Sequence, residues 1–256
     1  MAHPFEGYRR PDGLVGVRNY VFVIPTSVAA SSVTSAIADE AGPWARATPH
    51  QLGTSQPTPA RRQTERVLVG IGRNPNVGAA LVVELGTEDI SAETIADGIS
   101  NSGKTTETLA IREVGGTSNA LVEGVSRLTR LKAEADRATR EEADVSELVF
   151  GVECGGSDAT SGIAANPAVG AACDRLVEAG GTASFSETPE FIGAEHILAD
   201  RCADEETRER LLERVDMREG MAELMGVDLR GAQPTPGNQV GGLTTIEEKS
   251  LGAISK

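Results

Sequence analysis

The densest group of residues able to do chemistry lies in the segment SETPEFIGAEH, residues 186–196. Glu187, Glu190, Glu195 and His196 fall within ten residues, and the first two flank a Thr-Pro turn. Carboxylates and an imidazole together suit a divalent ion such as Fe²⁺ or Mn²⁺, or a general acid and base. The alternative is a solvated acidic turn at the start of a helix, where the helix dipole favours negative charge.

A second group, Cys154-Gly155-Gly156-Ser157-Asp158, follows the apolar run LVFGVE. The two glycines would let backbone N–H groups approach an anion, and Ser157 or Asp158 could cap the next turn. The alternative is a glycine-rich connection with a buried cysteine. The segment does not match GxGxxG, a Walker loop or GxSxG, which argues against nucleotide binding and against a hydrolase of the nucleophile-elbow type.

Other polar residues also follow apolar runs. Thr26 and Ser27 come after the first of these runs, and His50 lies in an irregular polar loop. Ligands of open parallel sheets bind beyond the carboxyl ends of the strands. We therefore expect one crevice, which His50 enters from its loop, to collect Cys154, Asp158, Glu187, Glu190 and His196.

The elements that would position these residues alternate along the chain. Strands are predicted at Val21–Pro25, Ala80–Leu85, Leu148–Glu153 and Thr182–Phe185, with a further strand near Leu109–Val114. Helical patterns lie between them, including long ones over residues 117–146 and 193–227. This order predicts an α/β fold, a doubly wound parallel sheet with helices on both faces. We expect a first α/β half at residues 1–145 and a second at 146–256.

A short motif occurs twice. GIGRNPNVGAA at residues 70–80 and GIAANPAVGAA at 162–172 share GIxxNPxVGAA. One interpretation is a duplicated β-turn-α unit, which would give two related half-domains. The other is two similar helix starts, because Asn-Pro favours a turn that begins a helix.

The charge balance is strongly acidic. The net charge is −14, and only four of the 24 basic residues are lysine. Such a composition is typical of a salt-adapted, halophilic protein, because concentrated salt screens its self-repulsion; the alternative is an ordinary acidic cytosolic protein. The charge also argues against nucleic-acid binding. No apolar run could span a membrane or serve as a signal peptide, so a cytoplasmic protein with reduced thiols is expected.

The block from Cys154 to Leu198 closely resembles the large-subunit region of the altronate and galactarate dehydratase family, which also includes the sulfolactate sulfo-lyase large subunit. Three further stretches are similar to that family: GYRRPDGLVGVRNYVFVIPTSV, IREVGGTSNALVEG and PGNQVGGLTTIEEKSLGAISK. The resemblance implies a Rossmann-like architecture. It also implies an iron-assisted hydro-lyase that converts sugar acids to 2-keto-3-deoxy acids.

Dehydration needs a base for the proton next to the carboxylate, an acid for the departing hydroxide and positive charge to stabilise the enediolate. A metal, Fe²⁺ or Mn²⁺, would supply the last two functions. The predicted metal ligands are Cys154, Glu187, Glu190 and His196. The predicted catalytic residues are His50, Asp158, Glu187, Glu190, His196 and Lys249. The predicted substrate-binding residues are Arg18, Asn19, Thr26, Ser27, Gly155, Gly156, Ser157 and Asn238.

The chain departs from the family pattern where relatives carry cysteines. Ala29 or Ala30 replaces the cysteine after the first strand, Thr54 the one in the His-x-x-Gly-Cys loop, and Thr87 the one in LGCE. The missing cysteines leave open a non-catalytic ligand-binding member of the family. Sulfolactate desulfonation, a second reaction within the family, also stays open. We also expect a homo-oligomer, with the chain being one subunit or a fragment that works with a separate small subunit.

Overall fold

The computed structural model describes residues 4–256, which form two compact units, Pro4–Asp144 and Val145–Lys256. The strands of the first unit are β1 (Pro4–Arg9), β2 (Val15–Gly16), β3 (Tyr20–Pro25), β4 (Ala45–Ala47), β5 (Val77–Glu84), β6 (Thr105–Ala110) and β7 (Glu141–Asp144). Its helices are α1 (Val28–Ala41), α2 (Thr58–Arg73), α3 (Ala92–Ser100) and α4 (Thr117–Ala135).

The first unit is built on a four-stranded parallel sheet in the order β4-β3-β5-β6. Strand β5 is apolar along most of its length because both of its faces are covered. Ala79, Leu81 and Val83 pack with α1 and α4, whereas Ala80 and Val82 pack with α2 and α3. The predicted α/β fold, with a parallel sheet flanked by helices, is confirmed.

Close helix packing in this unit depends on glycine at two positions. A Cβ at Gly124 of α4 would lie 2.4 Å from Ile37 of α1. A Cβ at Gly72 of α2 would lie 2.2 Å from Ile99 of α3. Neither methyl group could be accommodated without moving a buried isoleucine. Glycine at these two positions therefore allows the two helices on each face of the sheet to pack closely.

Two predicted elements of the first unit have different bounds. The strand expected near Leu109–Val114 is β6, Thr105–Ala110, and the later residues turn through Gly115 and Gly116 at positive φ. The helix expected over residues 117–146 ends at Ala135. Residues 141–144 instead form β7, which pairs antiparallel with β1 at the other end of the unit. The charged sequence EEAD carries no strand pattern of its own, and the distant partner decides its conformation.

The second unit has its own small sheet. Strands β8 (Val149–Val152) and β9 (Thr182–Phe185) pair in parallel, so they do not extend the first sheet as a single doubly wound sheet would. The helices of this unit are α5 (Asn166–Glu178), α6 (Glu195–Ala199), α7 (Glu205–Leu224), α8 (Leu229–Ala232), α9 (Pro236–Val240) and α10 (Ile246–Ala253). A 3₁₀ turn, Thr188–Phe191, follows β9.

A compact apolar cluster joins these helices to the 3₁₀ turn. Phe191 and Ile192 pack with Val215 of α7 and with Ile246 and Ile254 at the two ends of the α10 region. The helix predicted over residues 193–227 is divided into α6 and α7, because Asp204 caps α7 by accepting the N–H of Thr207. No helix within residues 4–256 is both long enough and apolar enough to cross a membrane.

The repeated motif adopts two different structures. In the first copy, Asn74-Pro75 forms the turn after α2, and the residues from Val77 onward form β5. In the second copy, Asn166-Pro167 begins α5, and the VGAA residues are helical. The copies are therefore neither equivalent β-turn-α units nor two helix starts, since different tertiary surroundings override the shared local sequence.

Lys104 is a buried cation close to the C-terminus of α2. Its Nζ donates to the carbonyl oxygens of Gly72 at 3.2 Å and Asn74 at 2.6 Å. Burial, assisted by the nearby charge of Arg10, lowers the pKa of Lys104 to about 7. An unfolded chain would hold this proton up to about pH 10.4.

The stability of the protein should therefore rise with pH above 7. Between pH 7 and about 10 the unfolded state binds the Lys104 proton and the folded state has released it, so raising the pH favours folding by at most about 1.4 kcal/mol per pH unit. Below pH 7 the lysine is protonated in both states and this stabilisation is absent. Urea unfolding at pH 7, 8 and 9 should show this slope in the wild type and a smaller slope in Lys104→Met. Parallel curves for the two proteins would contradict the assignment.

Candidate functional site

Three potential metal ligands meet at the carboxyl ends of β8 and β9. Cys154 follows β8, Glu187 follows β9, and Glu190 lies in the 3₁₀ turn after it. Val152 pairs with Phe185 at the end of the ladder, so the two loops leave the sheet side by side. The Sγ of Cys154 and one carboxylate oxygen from each glutamate lie within 4.8 Å of one another. We call Cys154, Glu187 and Glu190 the acidic cluster.

The cluster combines a buried and an exposed carboxylate. Glu190 is buried, and its Oε2 lies 2.5 Å from Nζ of Lys256, with both side chains less than a tenth exposed. Glu187 is exposed, and Cys154 is half-buried. Burial raises the pKa of the Cys154 thiol, with Glu190 adding to the effect. Partial desolvation, followed by the charges of Glu190 and Glu153, raises the pKa of Glu187. The Cys154 thiol and the Glu187 carboxyl would both become more acidic beside a cation.

Glu187 has an unusual backbone. With φ at 68° and ψ at 72°, it is the only non-glycine residue with positive φ in the described part of the chain. This conformation costs about 1–2 kcal/mol, because Cβ approaches the following carbonyl oxygen. Backbone strain of this kind is found most often at functional sites, and here it accompanies a carboxylate in the cluster.

A chain of polar contacts joins the loop after β8, residues 153–158, which we call the cysteine loop, to α9 and α10. Cys154 Sγ lies 3.2 Å from Ser157 Oγ, and the Ser157 carbonyl accepts from Asn238 Nδ2 at 2.9 Å. Lys249 Nζ in turn donates to Asn238 Oδ1 at 3.4 Å and to Gln233 Oε1 at 3.2 Å. Lys249 is therefore held near the cysteine loop by neutral amides rather than by a carboxylate.

The acidic cluster opens into a cavity of about 660 Å³, which we call the acid cavity. Gly155 is one of its lining residues; the chemically active ones are Cys154, Glu187, Glu190, Arg218, Asn238 and Lys249. A smaller cavity of about 370 Å³ adjoins the other side of Cys154 and Glu190. The arrangement joins cation ligands to fixed positive charges, which suits an anionic ligand that also chelates a metal.

Gly155 and Gly156 leave open space beside the cluster. A Cβ at either position would meet no heavy atom within 4 Å, and neither residue has positive φ. Their N–H groups donate to no other group within residues 4–256. The protein's own packing does not require glycine here, whereas close approach of an anion to the backbone would.

Two predicted members of the site are not in the cluster. Asp158 is exposed, and its Oδ1 accepts from both the backbone N–H and the hydroxyl of Thr160, so it organises its own turn. Those bonds lower the pKa of Asp158. His196 is exposed on α6 and belongs to no group of metal ligands among the described residues. The structure brings together three of the predicted residues, not all five.

The predicted residues of the first unit have structural partners of their own. Thr26 and Ser27 are buried, and both hydroxyls donate to the carboxylate of Glu88. That carboxylate also accepts the N–H groups of Leu85, Gly86 and Thr87. Burial alone would raise the pKa of Glu88, but these bonds lower it overall. The backbone N–H groups at this strand end therefore bind the Glu88 carboxylate of the protein itself and are not free to bind an anionic ligand.

The remaining residues of the first unit lie at different edges of its sheet. Arg18 and Asn19 precede β3, whereas Thr26 and Ser27 follow it, so about 20 Å of strand separates the pairs and one small substrate cannot contact both. Asn19 is bonded to Arg10 and to the Ala135 carbonyl.

His50 is fixed through both ring nitrogens. Its Nε2 lies 3.0 Å from the Pro25 carbonyl, and its Nδ1 accepts the Leu52 N–H. The prediction that His50 enters the same crevice as Cys154 stays a prediction.

Two residues of the site escaped sequence reasoning. Lys256 neutralises Glu190 from the end of the family-like stretch EEKSLGAISK, which was the available signal. Arg218 lines the acid cavity from α7, a helix rich in both charge signs. Nothing in its local sequence distinguishes it from the other arginines of that helix.

Two family models match the chain. The model described as D-galactarate dehydratase/Altronate hydrolase, second domain, matches residues 7–136. The model described as D-galactarate/Altronate dehydratase, C-terminal, matches residues 145–256. Together they cover both units, and the second contains the whole acidic cluster.

Curated relatives are similar along almost the whole chain. Subunit beta of (2R)-sulfolactate sulfo-lyase from Chromohalobacter salexigens is 41% identical over 253 residues, covering 98% of this chain and 64% of the relative. Altronate dehydratase from Bacillus subtilis is 31% identical, with 98% and 52% covered. Galactarate dehydratase (L-threo-forming) from Escherichia coli is 35% identical, with 100% and 52% covered. The chain spans between half and two thirds of the length of these relatives.

Proposed function

The chain belongs to the D-galactarate/altronate dehydratase family, and from that premise we propose that it forms the catalytic part of a hydro-lyase. The proposed reaction removes water from a sugar acid and gives a 2-keto-3-deoxy acid. The observation that carries the proposal is the acidic cluster, which lies in a cavity that also contains Lys249 and Arg218.

The donor set fits a divalent transition ion such as Fe²⁺ or Mn²⁺. One thiol and two carboxylates offer ligand atoms within 4.8 Å of one another, and such mixed soft and hard donors suit that class of ion. Lys256 pairs with Oε2 of Glu190 and leaves Oε1 available to the ion. The lysine can therefore orient the Glu190 carboxylate without preventing it from binding the ion. When bound, the ion would act as a Lewis acid toward the substrate carboxylate and hydroxyl.

The residues of the cavity would hold the substrate by its carboxylate. The Lys249 ammonium and the free N–H groups of Gly155 and Gly156 provide the positive charge and the donors that a carboxylate needs. Elimination then breaks the C2–H and C3–O bonds: a base takes the C2 proton, and the C3 hydroxide is protonated and leaves as water. The resulting enol tautomerises to the 2-keto acid.

Desulfonation of sulfolactate is the second candidate, with sulfite leaving instead of water. The specific observation in its favour is the 41% identity to a sulfo-lyase subunit beta. That relative's designation as a subunit also supports the proposal that this chain works with a separate small subunit. Assembly with copies of itself stays a prediction.

Turnover assays separate the candidate functions. The protein, with Fe²⁺ or Mn²⁺ supplied, is tested with and without a co-encoded small subunit on altronate, galactarate and (2R)-sulfolactate. Formation of a 2-keto-3-deoxy acid is the expected result, and sulfite release would establish the second candidate instead. A protein that retains metal but converts none of the three acids would contradict both and favour a non-catalytic member of the family.

Alanine at Gly155 should weaken substrate binding without unfolding the protein. The added methyl group enters space that the protein leaves open, so the free energy of unfolding should change by less than about 0.5 kcal/mol. The same methyl group would keep a carboxylate from the backbone, and KM should rise. Gly220→Ala is the matched control, because Cβ there also meets nothing, yet the residue does not line the acid cavity. Equal KM values for both variants and the wild type would contradict a backbone anion site.

We further propose that the acidic composition is an adaptation to salt. With a net charge of −14, self-repulsion should destabilise the folded state in dilute buffer, and screening in molar KCl should relieve it. The melting temperature measured by calorimetry is expected to rise steeply between dilute buffer and 2 M KCl. A melting temperature indifferent to KCl would reject the adaptation.

A further inference from the structure

Arg218 is the arginine of α7 that lines the acid cavity. Arg208 pairs with Glu205 and lies near Asp200, and Arg214 contacts Met217 Sδ and lines a separate cavity. Arg210 and Arg218 have no ion pair or hydrogen-bond partner within residues 4–256, but Arg210 lines the same separate cavity as Arg214, and only Arg218 lines the acid cavity.

The charge of Arg218 is unpaired within the described chain, although the protein is rich in carboxylates. Carboxylates outnumber basic side chains by 38 to 24, and exposed arginines on helices readily pair with acidic neighbours. In the same unit Arg230 binds both Glu195 and Glu219. No carboxylate within residues 4–256 pairs with Arg218, and the other cation of its cavity, Lys249, is held by amides. The cavity thus offers two separate positive charges, from α7 and from α10.

We propose that Arg218 binds a second anionic group of the substrate and so makes the site selective for dianions. A planar guanidinium can donate two parallel hydrogen bonds to a carboxylate or a sulfonate. The first carboxylate contacts Lys249 and the N–H groups of Gly155 and Gly156, as in the proposed function on which this inference rests. The second anionic group of the substrate, a carboxylate or a sulfonate, binds the guanidinium of Arg218. Aldonates, which carry a single anionic group, lack a partner for it.

The proposal is tested by comparing Arg218→Gln with Arg214→Gln. Both are exposed arginines one turn apart on α7, and only Arg218 lines the acid cavity. Calorimetry on chelator-treated protein gives dissociation constants for galactarate and sulfolactate, the dianions, and for altronate, the monoanion. Specificity constants are measured separately with Fe²⁺ or Mn²⁺ supplied. Circular dichroism checks that both variants are folded.

Arg218→Gln should weaken the binding of at least one dianion about tenfold, as expected for a lost charged hydrogen bond, and should change altronate binding less than twofold. The affected dianion identifies the second group as carboxylate or sulfonate. Arg214→Gln should change none of the three constants. Equal loss for all three acids, no loss for any, or no dianion binding by the wild type would overturn the proposal.

The two proposals fail in different ways. Dianion binding that depends on Arg218 in a protein without turnover would contradict the proposed function and support the role of Arg218. Turnover with a preference for dianions that is unchanged in Arg218→Gln would support the proposed function and contradict the role of Arg218.

Discussion

Glu187→Gln is expected to abolish metal retention and turnover while leaving the free energy of unfolding within about 0.5 kcal/mol of the wild type. The carboxylate is exposed and makes no ion pair in the described chain, so the amide replaces it without breaking a folded-state contact. Glutamine also keeps the shape of the side chain at the positive φ. The loss in metal affinity should exceed the 10- to 100-fold that outer-shell partners typically cost, because a ligand atom itself is removed.

Metal content provides a readout that does not depend on activity. Each protein is equilibrated with Fe²⁺ under anaerobic conditions or with Mn²⁺, desalted and analysed for bound metal. Glu223→Gln, an exposed glutamate of α7 outside the acid cavity, is the matched control and should retain both metal and activity. Full metal content and full activity in Glu187→Gln would show that the acidic cluster is not the metal site.

The second large effect concerns the buried pair of Glu190 and Lys256. Removing either partner leaves an uncompensated charge in a site where both side chains are less than a tenth exposed. Lys256→Met and Glu190→Gln should each destabilise the protein by about 3–5 kcal/mol. The double variant should recover most of that loss, because no buried charge remains and Lys256 also contacts an apolar cavity with Phe191 and Ile254.

A double-mutant cycle measures the coupling. Unfolding in urea is followed by circular dichroism and by hydrogen exchange in residues 145–256, because the only tryptophan, Trp44, belongs to the first unit. Additive effects of the two substitutions would show that the pair contributes nothing as a pair. The destabilisation expected for Glu190→Gln would itself lower activity. Glu187→Gln, which should not destabilise the protein, therefore tests the metal site more cleanly.

The sequence by itself determined the fold class and most of the strands. Strands β3 and β5 were predicted within a few residues of their observed bounds, because a buried parallel strand must be a continuous apolar run. Strands β8 and β9 were predicted equally closely, although most of their residues are exposed. The same local logic pointed to Cys154, Glu187 and Glu190, since the residues after parallel strands gather at one edge of the sheet. These inferences need only a few neighbouring residues.

Tertiary structure decided whatever depends on contacts between distant residues. The β7 segment becomes a strand through its pairing with β1, and the repeated GIxxNPxVGAA motif is a strand in one unit and a helix in the other. Lys256 and Arg218 join the site only because α10 and α7 fold back toward the ends of β8 and β9. Local sequence sets the conformation that a segment prefers, but the direction of each side chain and the partner of each charge follow from packing between segments far apart in the chain.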